Sequence, residues 1–389
     1  MTKAIEADIV VVGAGLVGLA AAIAFTQQGK RVVLVDANKP SIKLKKAWDE
    51  RVFALTPTTE AWLKALQVWE HVDKNRVNNI KAMHIFDADN ALTLADNDAN
   101  LPKLGVIIEN QNLLHALWQQ IKTLGVTVIT NATCINLDNT PQGVKLGVCL
   151  ASQSNMTITA KLIVAADGVN SWLRQQASIG VSQKSFNQTA IVANFLATKN
   201  HGNIARQWFA PHETLALLPM PSQQVSMVWS VSTQKAAELL KVGKDALAQS
   251  VYEQSQGALG DLKLVGKTLS FELNQQTATK LIAKRMALVG DAAHQIHPMA
   301  GQGVNLGFRD VMKLTELTTN CQDVGYYNLL RQYERSRKAD IVTMNTLTTG
   351  LDYLFASENA LVKMATHWGL RQLNRQVGIK KLLIQQAAV

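Results

Sequence analysis

Asp8-Ile9-Val10-Val11-Val12-Gly13-Ala14-Gly15-Leu16-Val17-Gly18, continued by an Ala/Leu-rich run to Gln28 and an apolar run from Arg31 to Asp36, reads as strand, glycine turn, helix, strand. Each position suits a bound dinucleotide. Gly13 permits the tight turn around Ala14, Gly15 lets the backbone approach a pyrophosphate, and Gly18 lets helix and sheet pack closely. Asp36 ends the second strand 23 residues after Gly13, where a carboxylate can bind ribose hydroxyls. The helix amino terminus adds free N–H groups and a positive dipole. The stretch predicts an adenine-dinucleotide site on a βαβ unit, and FAD and NAD(P) both satisfy it.

Two further motifs repeat the theme of an apolar strand ending in acid and glycine. Ala287-Leu288-Val289-Gly290-Asp291-Ala292-Ala293-His294 is followed by His297-Pro298-Met299-Ala300-Gly301-Gln302-Gly303-Val304-Asn305-Leu306-Gly307. Its glycines free backbone N–H groups at a helix start, an opening suited to an anion or an electron-rich ring oxygen. Ala165-Ala166-Asp167-Gly168-Val169-Asn170-Ser171-Trp172-Leu173-Arg174 is the other, and on a helix Ser171 and Arg174 share a face. Read alone, this third motif also fits a helix amino cap.

Composition narrows the class. The chain has 389 residues and is 47% hydrophobic, enough for two domains or one large interleaved unit. A net charge of +10 admits nucleic acid, an anionic membrane or an anionic substrate, but the basic residues form no recognisable nucleic-acid module. Cys134, Cys149 and Cys321 are dispersed and odd in number, which argues against a disulfide framework or a clustered-cysteine metal site and points to a reducing cytosol. His294 and His297 read as parts of the glycine-rich loop, and no metal ligand set is predicted. No apolar run reaches the roughly 18 to 20 residues of a membrane span, and the first residues lack a secretory layout.

Along the chain, helical patterns cover Thr58 to His71, Gln111 to Leu124, Thr233 to Asp261 and most of the sequence after Asp310. Strand patterns cover Val126 to Thr130, Gly143 to Leu150, Met156 to Ala165, much of Thr189 to Val231, and Met286 to Val289. There is no repeat and no linker, and the three acid-glycine motifs are widely separated, so the expected fold is an interleaved α/β (α+β) one. The predicted division places a Rossmann-like FAD-binding domain at 1–75, 100–180 and 275–335, an inserted mixed β-sheet substrate domain at 76–99 and 181–274, and a helical carboxy-terminal region at 336–389.

Taken together, in this order and spacing, the three motifs resemble the single-component FAD-dependent aromatic hydroxylases, with the para-hydroxybenzoate hydroxylase type of fold. His297-Pro298-Met299-Ala300-Gly301-Gln302-Gly303-Val304-Asn305-Leu306-Gly307-Phe308-Arg309-Asp310 is similar to the signature of the ubiquinone-biosynthesis hydroxylases, which act on polyprenylated phenols. The resemblance runs from about residue 7 to about residue 385. It implies that Gly13, Ala14, Gly15 and Gly18 cradle the FAD pyrophosphate, that Asp36 holds the adenosine ribose, and that Asp291 binds the phosphate-ribityl region. Gly303, Val304 and Asn305 then meet the isoalloxazine edge through backbone groups, where the helix dipole favours the anionic reduced flavin. Asp167 and Gly168 match the Asp-Gly motif used near the pyrophosphate and for the nicotinamide cofactor. Arg51 and Gln111 stand where related enzymes place an Arg and a polar residue against FAD, although the nearest hydroxylases carry Arg at the second place.

The implied chemistry is reduction of FAD by NADPH or NADH, reaction with O2 to a C4a-hydroperoxide, and transfer of OH to an electron-rich ring. A phenol activates its own ring, so no protein acid or base is required and no catalytic side chain is assigned. The mid-chain β layer carrying Trp208, Phe209, Leu215, Leu217, Pro219, Met227 and Trp229 is the expected substrate surface, with ordinary sheet core as the alternative reading of each residue. From Asn359 to Val389 the chain has five basic residues, Lys363, Arg371, Arg375, Lys380 and Lys381, and no acidic one, half of the net +10. With Leu361, Met364, Ala365, Trp368, Leu370, Leu373, Val377 and Ile384 at helical spacing, this piece reads as a basic amphipathic segment that lies on an anionic bilayer, packs on the body or makes an oligomer contact. The expected location is cytoplasmic, peripheral on the inner face of the membrane, with a ubiquinone-biosynthesis complex as a further partner. The same chemistry on a small soluble aromatic compound, or a non-catalytic flavoprotein subunit of a biosynthetic complex, remain alternative functions.

Overall fold

A computed structural model describes residues 3–40, 43–87, 90–296, 303–356, 372, 374 and 376–388. The β-branched runs of the dinucleotide fingerprint become the centre of a six-stranded sheet. Ile9–Val12 lies between Leu162–Ala165 and Val32–Val35, Thr127–Ile129 extends one side, and Met286–Leu288 with the short antiparallel Ile282–Ala283 extends the other. The first five strands named run parallel. Their register pairs Val12 with Val35 and Ala165, Val35 with Ile129, and Ala165 with Leu288, so their carboxyl ends finish level. That is the edge at which open α/β sheets bind ligands, and Gly13, Asp36, Asp167 and Asp291 all follow directly from it.

Helix Leu16–Gln27 has no polar face to speak of, and Gly18 through Phe25 are buried without a break. It is sandwiched between this sheet and the helices Asn110–Thr123 and Gly303–Thr318, which explains the uninterrupted apolar composition. A four-stranded sheet (Lys3–Glu6, Asn155–Ala160, Val144–Leu150, Ala132–Asn139) shares the same core.

A second core lies on an eight-stranded sheet. Its spine is two antiparallel 17-residue strands, Val181–Ala197 and Leu262–Ala278, flanked by Gln224–Ser232, Glu213–Pro219 and Ile204–Ala210. Ala82–Asp87 and Asn90–Ala95, from a distant part of the chain, complete one edge. His294–Gln295 pairs with Thr277 and Gln276 at the other, so the chain passes from the parallel-sheet edge at Asp291 directly onto the second sheet. The fold is therefore interleaved mixed α/β, with both sheets meeting around the glycine-rich segments.

Some elements differ from the sequence patterns. Thr58 to His71 divides into helix Pro57–Ala65 and a single tight turn, Val68–His71, because Gln67 takes a left-handed conformation between them. The polar stretch from Thr233 forms two helices, Thr233–Lys241 and Lys244–Gln254, that cover one face of the eight-stranded sheet. Among the described residues no helix is long and apolar enough to cross a membrane.

Candidate active site

Between the carboxyl edge of the parallel sheet and the uncovered face of the eight-stranded sheet lies a cavity of about 530 Å³. One wall is Gly15 to Gly18, Ala166, Gly168, Val289, Asp291, Gly303 and Val304, and Arg51 to Phe53 form a side. The opposite wall is Ala190, Val192, Gln207, Thr214, Ala216, Leu218, Val228 and Ser230.

The fingerprint glycines divide into two kinds. A Cβ on Gly18 would run into the Gly13 carbonyl, and one on Gly13, already at φ 102°, into the Ala166 carbonyl. These two are required by the protein's own packing. Gly15 has ordinary φ −74° and no protein atom within 4 Å of where a Cβ would stand, yet it lines the cavity. Its missing side chain leaves room for something other than protein, at the amino end of a helix whose first N–H groups lack intrahelical acceptors.

Asp36 does not line the cavity but stands behind the loop. One carboxylate oxygen accepts the Ala14 amide at 2.6 Å and the other the Asn38 amide at 2.7 Å. Asp167 is close by: burial, with Asp167 and Asp36 adding to it, pushes the Cys134 thiol up to about 12. The Asp167 carboxylate takes the Ser171 hydroxyl at 2.5 Å and the Leu173 amide at 3.0 Å, so it caps helix Trp172–Gln176 together with Ser171, which accepts the Arg174 amide. Gly168, at φ 82°, lines the cavity itself.

Arg51 is the one cation among the described lining residues, its guanidinium 5.5 Å from the centre of the Phe271 ring. A buried carboxylate holds its segment in place. Glu109, 1% exposed, accepts two bonds from Arg76 at 2.6 and 2.7 Å and the Asp49 amide at 2.6 Å. Asp49 in turn accepts the amides of Arg51 and Gln111. Gln111 is turned away from the cavity lining, donating to the Ala47 carbonyl at 2.7 Å, so its side chain supports the 47–51 segment.

Asp291 opens onto the cavity and makes no hydrogen bond to a described residue. The protein crowding it raises its carboxyl above the ordinary range, opposed by His294 and Arg51. Beneath it is a buried charge network that the motif reading did not identify. Asp310 is fully buried and accepts the Gly290 amide at 2.9 Å, His294 Nε2 at 2.7 Å and Arg337 Nε at 2.7 Å. Burial works against the Asp310 carboxylate, but His294, Arg337 and the Gly290 amide outweigh it and hold it below the usual range. Asp310 was visible as the last residue of the quoted signature, yet only a helix that buries its Asp shows what it does. Arg337 had no signal, lying 27 residues further on.

Gly303 and Val304 begin helix Gly303–Thr318 at the cavity wall. The Asn305 side chain is buried below, accepting the Thr56 amide at 3.1 Å and donating to the Ala54 carbonyl at 2.8 Å, which ties this helix to the strand after Arg51. His297 to Gln302, the middle of the second motif, lies outside the described residues. Among the described residues no cluster of His, Cys, Asp and Glu suits a metal.

Five of the seven expected substrate residues turn out to face the other way, whereas Phe209, paired with Thr214, shares the cavity-side alternation of Gln207. Trp208, Leu215, Leu217, Met227 and Trp229 are buried in the second core under the helices from Thr233 to Gln254. Side chains alternate along a strand, so their neighbours Gln207, Thr214, Ala216, Val228 and Ser230 face the cavity.

A glycine cradle, a helix amino terminus and an acid set at the ends of parallel strands, facing a second sheet across the cavity, define a dinucleotide-binding enzyme with its ligand surface on a separate sheet. Residues 6–346 match the family model described as FAD binding domain, and the chain belongs to that family. It is similar to the ubiquinone hydroxylase UbiL of Rhodospirillum rubrum, 31% identical over 98% of this chain and 89% of the relative. It is likewise 31% identical to the 3-demethoxyubiquinol 3-hydroxylase of Escherichia coli K12, over 90% of this chain and 89% of that protein. In structure it resembles p-nitrophenol 4-monooxygenase PnpA from Pseudomonas putida DLL-E4, with a TM-score of 0.81, 15% identity, and 99% and 98% of the two chains covered. The chain is an FAD-dependent aromatic-ring monooxygenase with NAD(P)H as reductant.

Proposed function

We propose that this monooxygenase hydroxylates the aromatic ring of a polyprenylated phenol in ubiquinone biosynthesis. The observation that carries the reading is the single cavity in which the Gly15 cradle, the start of helix Gly303–Thr318 and a floor of small side chains share one space. The full-length similarity to two hydroxylases of ubiquinone compounds supports the substrate class.

Bound FAD supplies the oxygen-transfer chemistry, and the protein's part is binding, orientation and exclusion of water. Gly13, Ala14, Gly15 and Gly18 would shape the loop on which the pyrophosphate rests, with the N–H groups at the start of helix Leu16–Gln27 as donors, because those of Gly13 and Ala14 already bond the Val35 carbonyl and Asp36; Asp36 would take ribose hydroxyls. Asp167 and Gly168 would border the pyrophosphate, Asp291 the ribityl region, and Arg51, steadied by Asp49 and Gln111, the open side. The amides of Gly303, Val304 and Asn305 would meet the ring edge, where the helix dipole stabilises negative charge. Ala190, Val192, Ala216 and Val228 would leave room for an aromatic ring and keep water from it.

The described end of the carboxy-terminal segment supports peripheral contact with a membrane. In helix Val377–Ala388, Ile379, Leu382 and Leu383 are 42%, 57% and 37% exposed beside the exposed Lys381. Lys380 and Ile384 face the body instead, Lys380 bonding Asp98 at 2.8 Å. Leu361, Met364, Ala365, Trp368, Leu370 and Leu373 lie outside the described residues.

The test is turnover by the FAD-loaded protein with NADPH, O2 and a short-chain 2-prenylphenol, alongside quinone intermediates from a strain lacking the protein. A hydroxylated prenylphenol and a prenylated intermediate accumulating in the strain support the reading. Activity confined to small phenolic acids, or no substrate-stimulated NADPH oxidation, overturns it.

A further inference from the structure

The cavity floor has a pattern that singles out one side chain. Across the strands, Gln207 pairs with Ala216, Ala216 with Val228, and Val228 with Val192, forming one row on the cavity face. The row alongside is Phe209, Thr214, Ser230, Ala190 and Phe271. Of the first row's cavity-lining members all are small and apolar except Gln207, which stands about 14 Å from Val192 at three strand spacings, with Ile85 next beyond it. Gln207 is 8% exposed and lines the cavity, and its carboxamide makes no hydrogen bond to any described residue. The carboxamide is therefore open to the cavity and free to meet a ligand. The sheet's other polar groups in this region do not supply a partner: His84 and Arg206 belong to the opposite alternation, and Arg206 donates to the carbonyls of His201 and Ile204.

We propose that the Gln207 carboxamide is the substrate anchor, hydrogen-bonding the phenolic oxygen and thereby fixing which edge of the ring faces the Gly303 side of the cavity. This rests on the phenol-hydroxylase reading and sharpens its specificity. A carboxamide both accepts from a phenol O–H and donates to a phenolate oxygen, so it serves either form of the ring without titrating. It offers no charge to a carboxylate, and Arg51, the one cation among the described lining residues, stands by Phe271 at the far end of the neighbouring row. The floor thus suits a neutral phenol with an apolar substituent, and among the described residues it holds no cation to clamp an aromatic acid. Gln207 is a specificity residue, with Thr214 and Ser230 as hydroxyl neighbours.

The experiment compares dissociation constants of the FAD-loaded protein for 2-geranylphenol and its methyl ether, read from the flavin absorbance change, in the wild type, Gln207→Leu and the near-isosteric Gln207→Met. Full FAD content and an unchanged melting temperature show that each variant is folded. The wild type should bind the phenol about tenfold more tightly than the ether, and the variants should bind the two nearly equally. The variants should also release more hydrogen peroxide per NADPH, because the ring is no longer held in place. If both folded variants keep the wild-type preference, Gln207 is not the anchor, while wild-type hydroxylation of 2-geranylphenol would leave the phenol reading standing. If the wild type neither binds nor hydroxylates the phenol, both fall together.

Discussion

Replacing Gly15 with valine should abolish tight FAD binding while leaving the apoprotein as stable as the wild type. Its φ of −74° suits any residue, and no protein atom lies within 4 Å of the added Cβ, so the fold has no reason to object. A pyrophosphate resting on this backbone would lose at least two charge-assisted N–H contacts of about 1.5–3 kcal/mol each, weakening binding by about 3–6 kcal/mol, or roughly 10²- to 10⁴-fold. Gly18→Ala is the counterpart, because its Cβ meets the Gly13 carbonyl, a backbone atom that cannot swing aside. It should lower apoprotein stability by about 1–3 kcal/mol or more. FAD titration of the apoproteins by fluorescence quenching, with urea unfolding of the same samples, separates the two effects. Wild-type FAD affinity in Gly15→Val, or a loss of apoprotein stability matching that of Gly18→Ala, would refute the assignment of the space above Gly15 to the cofactor.

Asp310→Asn confronts three buried donors with an amide that must turn an N–H toward one of them, and should cost about 3–5 kcal/mol in urea unfolding. Since the Asp310 carboxyl is held below its ordinary 3.8, its contribution is complete above that value and fades as pH falls through the lower folded-state value. Unfolding midpoints between pH 7 and pH 3 should therefore fall less steeply in the variant at the acid end. Leu217→Ala, at a site 1% exposed, should cost about 2–5 kcal/mol, whereas Ala216→Leu on the cavity face should change stability by under about 0.5 kcal/mol, keep FAD and abolish binding of 2-geranylphenol. Arg51→Met should weaken FAD binding by about tenfold at unchanged apoprotein stability, as read by the same titration.

The site's frame was legible because its residues do their work locally. A strand, a turn needing positive φ at Gly13 and an acid after the next strand are all encoded within 30 residues, and the parallel register then brings the Asp167 and Asp291 motifs to the same edge. What was not legible depends on distant partners. The strands Val52–Leu55, Val77–Ile80 and Gly105–Glu109 are short and pair only with one another, so nothing in their own sequence separates them from the surrounding helices. Arg76 looks like any surface cation until Glu109 is found beneath it, and Arg337 until Asp310 is.

The substrate wall failed in a more instructive way. Its strands were expected, and the large aromatic and aliphatic residues were the natural ones to assign to a greasy ligand. A strand's period of two places each such residue one position from a small neighbour, and a one-residue shift exchanges the faces. Helices Thr233–Lys241 and Lys244–Gln254 need an apolar face to bury, so Trp229, Met227, Leu217 and Leu215 go to them. A cavity needs the opposite, room rather than bulk, and receives Val228, Ala216, Thr214 and Gln207. Where a sheet packs helices on one side and encloses a ligand on the other, the substrate residues are therefore to be sought among the small and polar neighbours of the bulky ones, which is where Gln207 stands.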